Sequence, residues 1–155
     1  MPMILPEDDV TIENIATVLD DAAISYRIDE DGDLLVDEFS STYWIIIDKE
    51  RRFLRFYSFI PTLSSDEAAL TQFANHCNNK VAMVQFGYFQ PRQRLYGSYH
   101  LPYRQGILRP HLLLIARDFP GQFNHAVTCE DRDGLLDCEG PSKTADEDGR
   151  PHMLN

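Results

Sequence analysis

Apolar positions recur along this chain at distinct spacings, and each spacing selects an element. Ile12, Ile15, Ala16, Leu19, Ala22 and Ala23 lie three and four residues apart, the stripe of an amphipathic helix. Thr11 precedes them as a suitable N-cap, because its hydroxyl can accept from an orphan amide of the first turn. Glu13 suits the positive end of the helix dipole, whereas Asp20 and Asp21 oppose the other end. Ser25 to Ile28 and Leu34 to Phe39 flank the Asp29-Glu30-Asp31-Gly32-Asp33 turn and predict a hairpin. Tyr43 to Ile47 is apolar at every position, the pattern of a central strand buried on both faces. Phe53 to Phe59 alternates instead, with Arg55, Tyr57 and Phe59 on one face and Leu54, Phe56 and Ser58 on the other.

Pro61 ends that strand, and Ser64 with Glu67 fits a capping box ahead of a second helix. Leu70, Phe73, Ala74 and Cys77 form the apolar stripe of this helix, with Cys77 as a small core hydrophobe. Val81 to Phe89 then pairs with Leu95 to Tyr103 across Gln90-Pro91-Arg92-Gln93-Arg94. Leu95, Gly97, Tyr99, Leu101 and Tyr103 share one face, while Tyr96, Ser98, His100 and Pro102 share the other. A last helix begins near Pro110, where a missing amide costs nothing. Its core is Leu112 to Ile115, and Pro120-Gly121 is predicted to end or kink it. The order α-β-β-β-β-α-β-β-α predicts an α+β fold, an antiparallel sheet covered by helices. From Thr128 onward only Leu135-Leu136 offers apolar area, which predicts a folded domain over 1–127 and an acidic, flexible tail over 128–155.

Composition agrees with one domain, since 155 residues with 43% hydrophobic content can bury one substantial core. The net charge of -11 divides unevenly: 1–38 has twelve acids and one base (-11), 39–127 five acids and ten bases (+5), and 128–155 eight acids and three bases (-5). Such runs are either solvated surface or acidic ends able to cover a basic middle. The acidic polar face of the first helix disfavours anionic lipid, and no apolar run is long enough for a bilayer. Residues 1–7 lack a basic region and a long apolar segment, so the cytoplasm is the expected compartment. Three cysteines, an odd number, do not make a disulfide framework.

Little in the chain predicts catalysis or cofactor binding. His76 and Cys77 are helix neighbours pointing in different directions, so they form no nucleophile-base dyad. Counted from Asp29, the acidic turn has Leu34 and Ser40 where a calcium loop needs glycine and glutamate, which leaves an ordinary Asp-Gly turn. His125, Cys129 and Cys138 are zinc-ligand types without a paired-ligand spacing. Neither glycine-rich phosphate signature occurs. The expectation is a non-enzyme with no cofactor and no metal.

The order of the weak motifs carries more than any one of them. The Thr11, Ile15 and Leu19 helix precedes a D-x-D-G-x-L-x-V-like hairpin over Asp29 to Val36, then a helix bearing Asn75 and Asn78, then Gly106-Ile107 leading into the closing helix. In that order the chain resembles the YbjN family over about residues 10 to 119, and more distantly the type III secretion chaperones. Pro120 and the acidic tail depart from the family pattern. The resemblance implies a regulator of sensory transduction, a chaperone-like fold, and a dimer that holds a partner polypeptide extended. It implies no catalytic residue.

Arg55, Tyr57, Phe59, Tyr88, Arg92, Arg94 and Tyr96 combine the aromatic and guanidinium groups enriched at interfaces, against the ordinary alternative that most of these rings are core. They are the expected partner-binding residues, for an extended segment held by side-chain pockets or strand addition. A regulator sensing a small ligand between sheet and helix is the alternative. Nucleic acid is disfavoured by the net charge, although Phe86-Gly87-Tyr88-Phe89 faintly resembles an RNA-stacking strand.

Overall fold

The computed structural model describes residues 2–138, and its helices stand where the apolar stripes predict them. Helix α1 (Ile12–Asp21) is capped by Thr11, whose side chain accepts from the amide of Asn14. Helix α2 (Glu67–Lys80) is capped by Asp66, which accepts from the Ala69 amide, and not by Ser64. Ser64 acts one step earlier, its Oγ accepting from the Asp66 amide, so the turn holds the cap that holds the helix. Helix α3 (Arg109–His125) opens with Pro110 in its first turn and runs into a π-turn over Ala126–Glu130.

Pro120 does not end α3, which runs on to His125, one of the two outcomes the sequence predicts for it. Proline cannot donate to the carbonyl four residues back, which here is that of Ala116. The hydroxyl of buried Tyr43 donates to that carbonyl at 2.7 Å and replaces the missing amide. Burial pushes the Tyr43 phenol well above its ordinary value, which keeps the proton that the bond requires.

Among the described residues eight strands form two antiparallel sheets. Short β1 (Ile4–Leu5) pairs with β8 (Ile107–Leu108), a hairpin-free contact that the sequence did not announce. Gly106, at φ 85°, permits this approach, because a Cβ there would lie 2.6 Å from the Leu5 carbonyl oxygen. The main sheet comprises β2 (Arg27–Ile28), β3 (Leu34–Val36), β4 (Tyr43–Asp48), β5 (Phe53–Pro61), β6 (Gln85–Phe89) and β7 (Arg94–Pro102). Its order is β2-β3-β4-β5-β7-β6. The β5/β7 ladder is the longest, running in register from Phe53 opposite Pro102 to Pro61 opposite Arg94.

Alternation along these strands sorts the side chains into two layers. Leu34, Val36, Tyr43, Ile45, Leu54, Phe56, Phe86, Leu95 and Leu101 face the helices. There they meet Ile15 and Leu19 of α1, Leu70, Phe73 and Cys77 of α2, and Leu112, Ile115, Phe119 and Phe123 of α3 in one continuous core. Asn78 ties α2 to β6 by a paired contact with the Phe86 backbone, accepting from its amide at 2.7 Å and donating to its carbonyl at 3.0 Å. The helices therefore cover one face of the sheet, and a second, separate cluster forms on the other.

The start of the acidic tail is packed as far as it is described. Leu136 is buried in the main core and bridges Thr62, while Leu63 donates to the Leu135 carbonyl and Asp137 to that of Pro61. Leu135 and Leu136, the pair that composition alone set aside, bring 128–138 onto the folded unit beyond the boundary expected at 127. Residues 139–155 of that expected tail lie outside the described residues.

Candidate functional site

The face of the sheet opposite the helices gathers rings that the strands present at alternate positions. Register places Trp44 of β4 opposite Tyr57 of β5, Ile46 opposite Arg55, and Phe59 opposite Tyr96 of β7. Leu35, Trp44 and Tyr57 form the buried centre of this cluster, with Ile46, Phe59 and Tyr96 packed around it. No helix residue belongs to it among the described residues.

The rings lie against one another in two stacks. Trp44 stacks on Phe59 with centroids 5.5 Å apart and planes 14° apart, and Tyr57 stacks on Tyr96 at 6.1 Å and 17°. Two guanidinium groups join them: Arg94 over Phe59 at 4.0 Å and Arg55 over Tyr57 at 4.8 Å from the ring centroids. Gly87 of β6, opposite Tyr96, makes room for the second stack. A Cβ at Gly87 would stand 2.4 Å from the Tyr96 hydroxyl oxygen.

Electrostatics leave positive charge as the ionised character of the centre of this face. Burial pushes the Tyr57 phenol up to about 12, although Arg55 and Arg94 pull it down. Burial also raises Tyr96, and it lowers His100, which the charge of Arg55 lowers further. Near neutral pH the phenols therefore stay protonated and His100 is disfavoured as a cation. Asp48 at the margin of the face is engaged by Arg51, with a side-chain contact of 3.7 Å and a bond from the Arg51 amide at 2.9 Å.

Of the seven residues expected at a partner surface, Arg55, Tyr57, Phe59, Arg94 and Tyr96 come together here. Arg92 sits in the 3-10 turn Gln90–Arg92 that joins β6 to β7, at the end of the same hairpin. Tyr88 is on the opposite side of the sheet. It pairs with Leu95, packs against the helix-covered core, and buries its hydroxyl without a hydrogen-bond partner. Trp44 and Ile46 are members that sequence reasoning assigned only to a strand buried on both faces, and Leu35 is one it placed only in a hairpin. An unbroken apolar run gives no alternation from which to read which face each residue takes.

Other titratable clusters are differently placed. His76 of α2 contacts Glu130 at 2.7 Å and His125 approaches the same carboxylate at 3.8 Å, which ties the π-turn to α2. A cavity of about 420 Å³ beside this pair is lined by Gln72, Lys80, Asp131 and Arg132 among others. Cys77 next to His76 is buried, and burial pushes its thiol up to about 12, so it is not an activated nucleophile. Asp29 accepts from the amides of Asp31 and Asp33, so its carboxylate serves the β2/β3 turn. Among the described residues no three His, Cys, Asp or Glu side chains converge to hold a metal ion, and no helix is long and apolar enough to cross a membrane.

Comparison with known proteins locates this architecture. The family described as "YbjN: Putative bacterial sensory transduction regulator" matches residues 11–113. The crystal structure of YbjN, described as a putative transcription regulator from E. coli, superposes with a TM-score of 0.71 at 14% identity, covering 87% of this chain and 98% of that one. A chain of the HopA1-SchA chaperone-effector complex superposes with a TM-score of 0.50 at 16% identity, covering 76% of this chain and 95% of that one. No curated protein matches the sequence. The α+β fold, with its antiparallel six-stranded sheet and three helices, is that of these two structures.

Proposed function

The chain belongs to the YbjN family, and from that premise we propose that it is a non-enzymatic protein-binding module whose sheet face opposite the helices holds a segment of a partner polypeptide. The observation that carries this reading is the convergence of Trp44, Tyr57, Phe59 and Tyr96 with Arg55 and Arg94 on a face that no helix of the described residues covers. Stacked rings beside guanidinium groups supply large contact area with little side-chain entropy left to lose, the composition of interface centres. A chaperone-effector complex among the structures of the same fold supports a polypeptide as the occupant.

The proposal includes two further points: a homodimer, as the family resemblance implies, and the cytoplasm as compartment, which fits an odd number of cysteines. Light scattering on the purified protein reads the first. Selection of a displayed random-peptide library on the full-length protein tests the binding reading itself. Enrichment of peptides whose binding is lost in Tyr96→Ala and Phe59→Ala, with the fold retained by circular dichroism, is the expected result. Enriched peptides that bind both variants as well as wild type would move the site elsewhere, and no enrichment at all would count against a polypeptide occupant.

A further inference from the structure

Arg55 is a buried cation that makes no ion pair among the described residues, although the charge of Asp48 favours it. It is only 7% exposed, and its Nε is buried without a hydrogen-bond partner. Its neighbours in register are Ile46 on β4 and His100 on β7, and its guanidinium lies over the Tyr57 ring. Asp48, the carboxylate on the same face, is taken by Arg51 through both a side-chain contact and a backbone bond. Arginine is weakly hydrated and presents a rigid fork of donors, so an arginine largely buried amid aromatic rings, its Nε without a partner, is poised for a planar oxyanion. Left permanently empty, such a group would only weaken the fold.

We infer that Arg55 is the receptor for a carboxylate, an aspartate or glutamate side chain carried by the partner segment that lies on the aromatic face. This inference rests on the reading of that face as a polypeptide-binding surface and adds the chemistry that the segment must carry. Trp44, Phe59 and Tyr96 hold the apolar part of the segment, and Arg55 fixes its register by selecting one acidic position. Burial lowers the affinity of Arg55 for its own proton, in keeping with a cation short of compensation.

The test uses the peptides selected on the full-length protein, resynthesised with each Asp or Glu changed in turn to Asn or Gln. Calorimetric affinities are measured on wild type, Arg55→Met and Phe59→Ala. One acid-to-amide change is expected to weaken binding to wild type about tenfold, the scale of a charge-assisted hydrogen bond of about 1.5 kcal/mol. The same change is expected to be silent on Arg55→Met. Phe59→Ala is expected to weaken acidic and amide peptides alike and to keep their ratio. Equal affinity of acidic and amide peptides for wild type overturns the inference while leaving the binding face intact. An acid preference that survives Arg55→Met also overturns it, by placing the receptor elsewhere. Selection of no peptide at all removes the binding face and the inference together. An acid preference that emerges only after Asp146, Glu147 and Asp148 are changed to their amides would make this chain's own acids the occupant, and would overturn the assignment to a partner.

Discussion

At the scale of single residues, the account depends on side chains held in costly or tightly fitted positions. Arg55 is the clearest case, because a buried unpaired charge costs more than it returns unless something pairs with it. Arg55→Met, which keeps the length of the side chain and removes the charge, is therefore expected to leave stability unchanged or raise it by about 1 kcal/mol or more. Urea denaturation reads this directly, and a loss of stability would show that the cation is structural. Gly87 makes the opposite case. Gly87→Ala puts a methyl where the Tyr96 ring lies, so it is expected to cost about 1–3 kcal/mol by overpacking and to unseat the Tyr57 stack. Near-ultraviolet circular dichroism, which senses aromatic packing, is the second readout. Arg55, Tyr57 and Phe59 were legible as one face because their strand alternates charge and ring with aliphatics. The face of Tyr88 was not legible, because a slip of one residue in pairing exchanges the faces. That register is fixed by the Gln90–Arg92 turn and the left-handed Gln93 that follows it, which no hydrophobic pattern records.

Elements were legible where period and length were both strong, and least so where a tertiary contact replaced a local rule. The three helices and the main sheet follow from spacing alone. The β1/β8 pair does not, because two-residue strands have no period to detect. How helix α3 continues through Pro120 could not be foreseen either, since the group that satisfies the Ala116 carbonyl is Tyr43, far away in the chain. That contact gives a defined cycle. Tyr43→Phe is expected to cost about 1–3 kcal/mol by leaving a buried carbonyl unpaired. In a Pro120→Ala background the restored amide can serve the same carbonyl, so Tyr43→Phe should then cost clearly less. Equal costs in both backgrounds would mean that the hydroxyl and the proline are independent.

For the whole molecule, the decisive property is that a six-stranded sheet carries all three helices on one side. The sequence shows which residues are apolar but not which layer has a cover, because rings that bury one another look like core in any pattern. The same limit applies to the acidic end of the chain, where Leu135 and Leu136 dock and Glu130 meets His76. Glu130 is held below its ordinary pKa of 4.5, first by the hydrogen bond to His76, with its charge and that of His125 and Lys80 adding to the effect. A depressed carboxyl stabilises the folded state above the unfolded value and loses that contribution as pH falls through the folded one. The stability difference between wild type and Glu130→Gln should thus persist above pH 4.5 and fade below it, as thermal denaturation across that range would show. The central claim, that the sheet face opposite the helices binds polypeptide, has a reporter built into it. Trp44 is the single tryptophan of the chain and lies stacked at the centre of that face. Titration of the full-length protein with a selected peptide, followed by Trp44 emission alongside calorimetry, is the most direct test. The account predicts that emission changes with the same midpoint as the heat, and calorimetric binding that leaves Trp44 emission unmoved would contradict it.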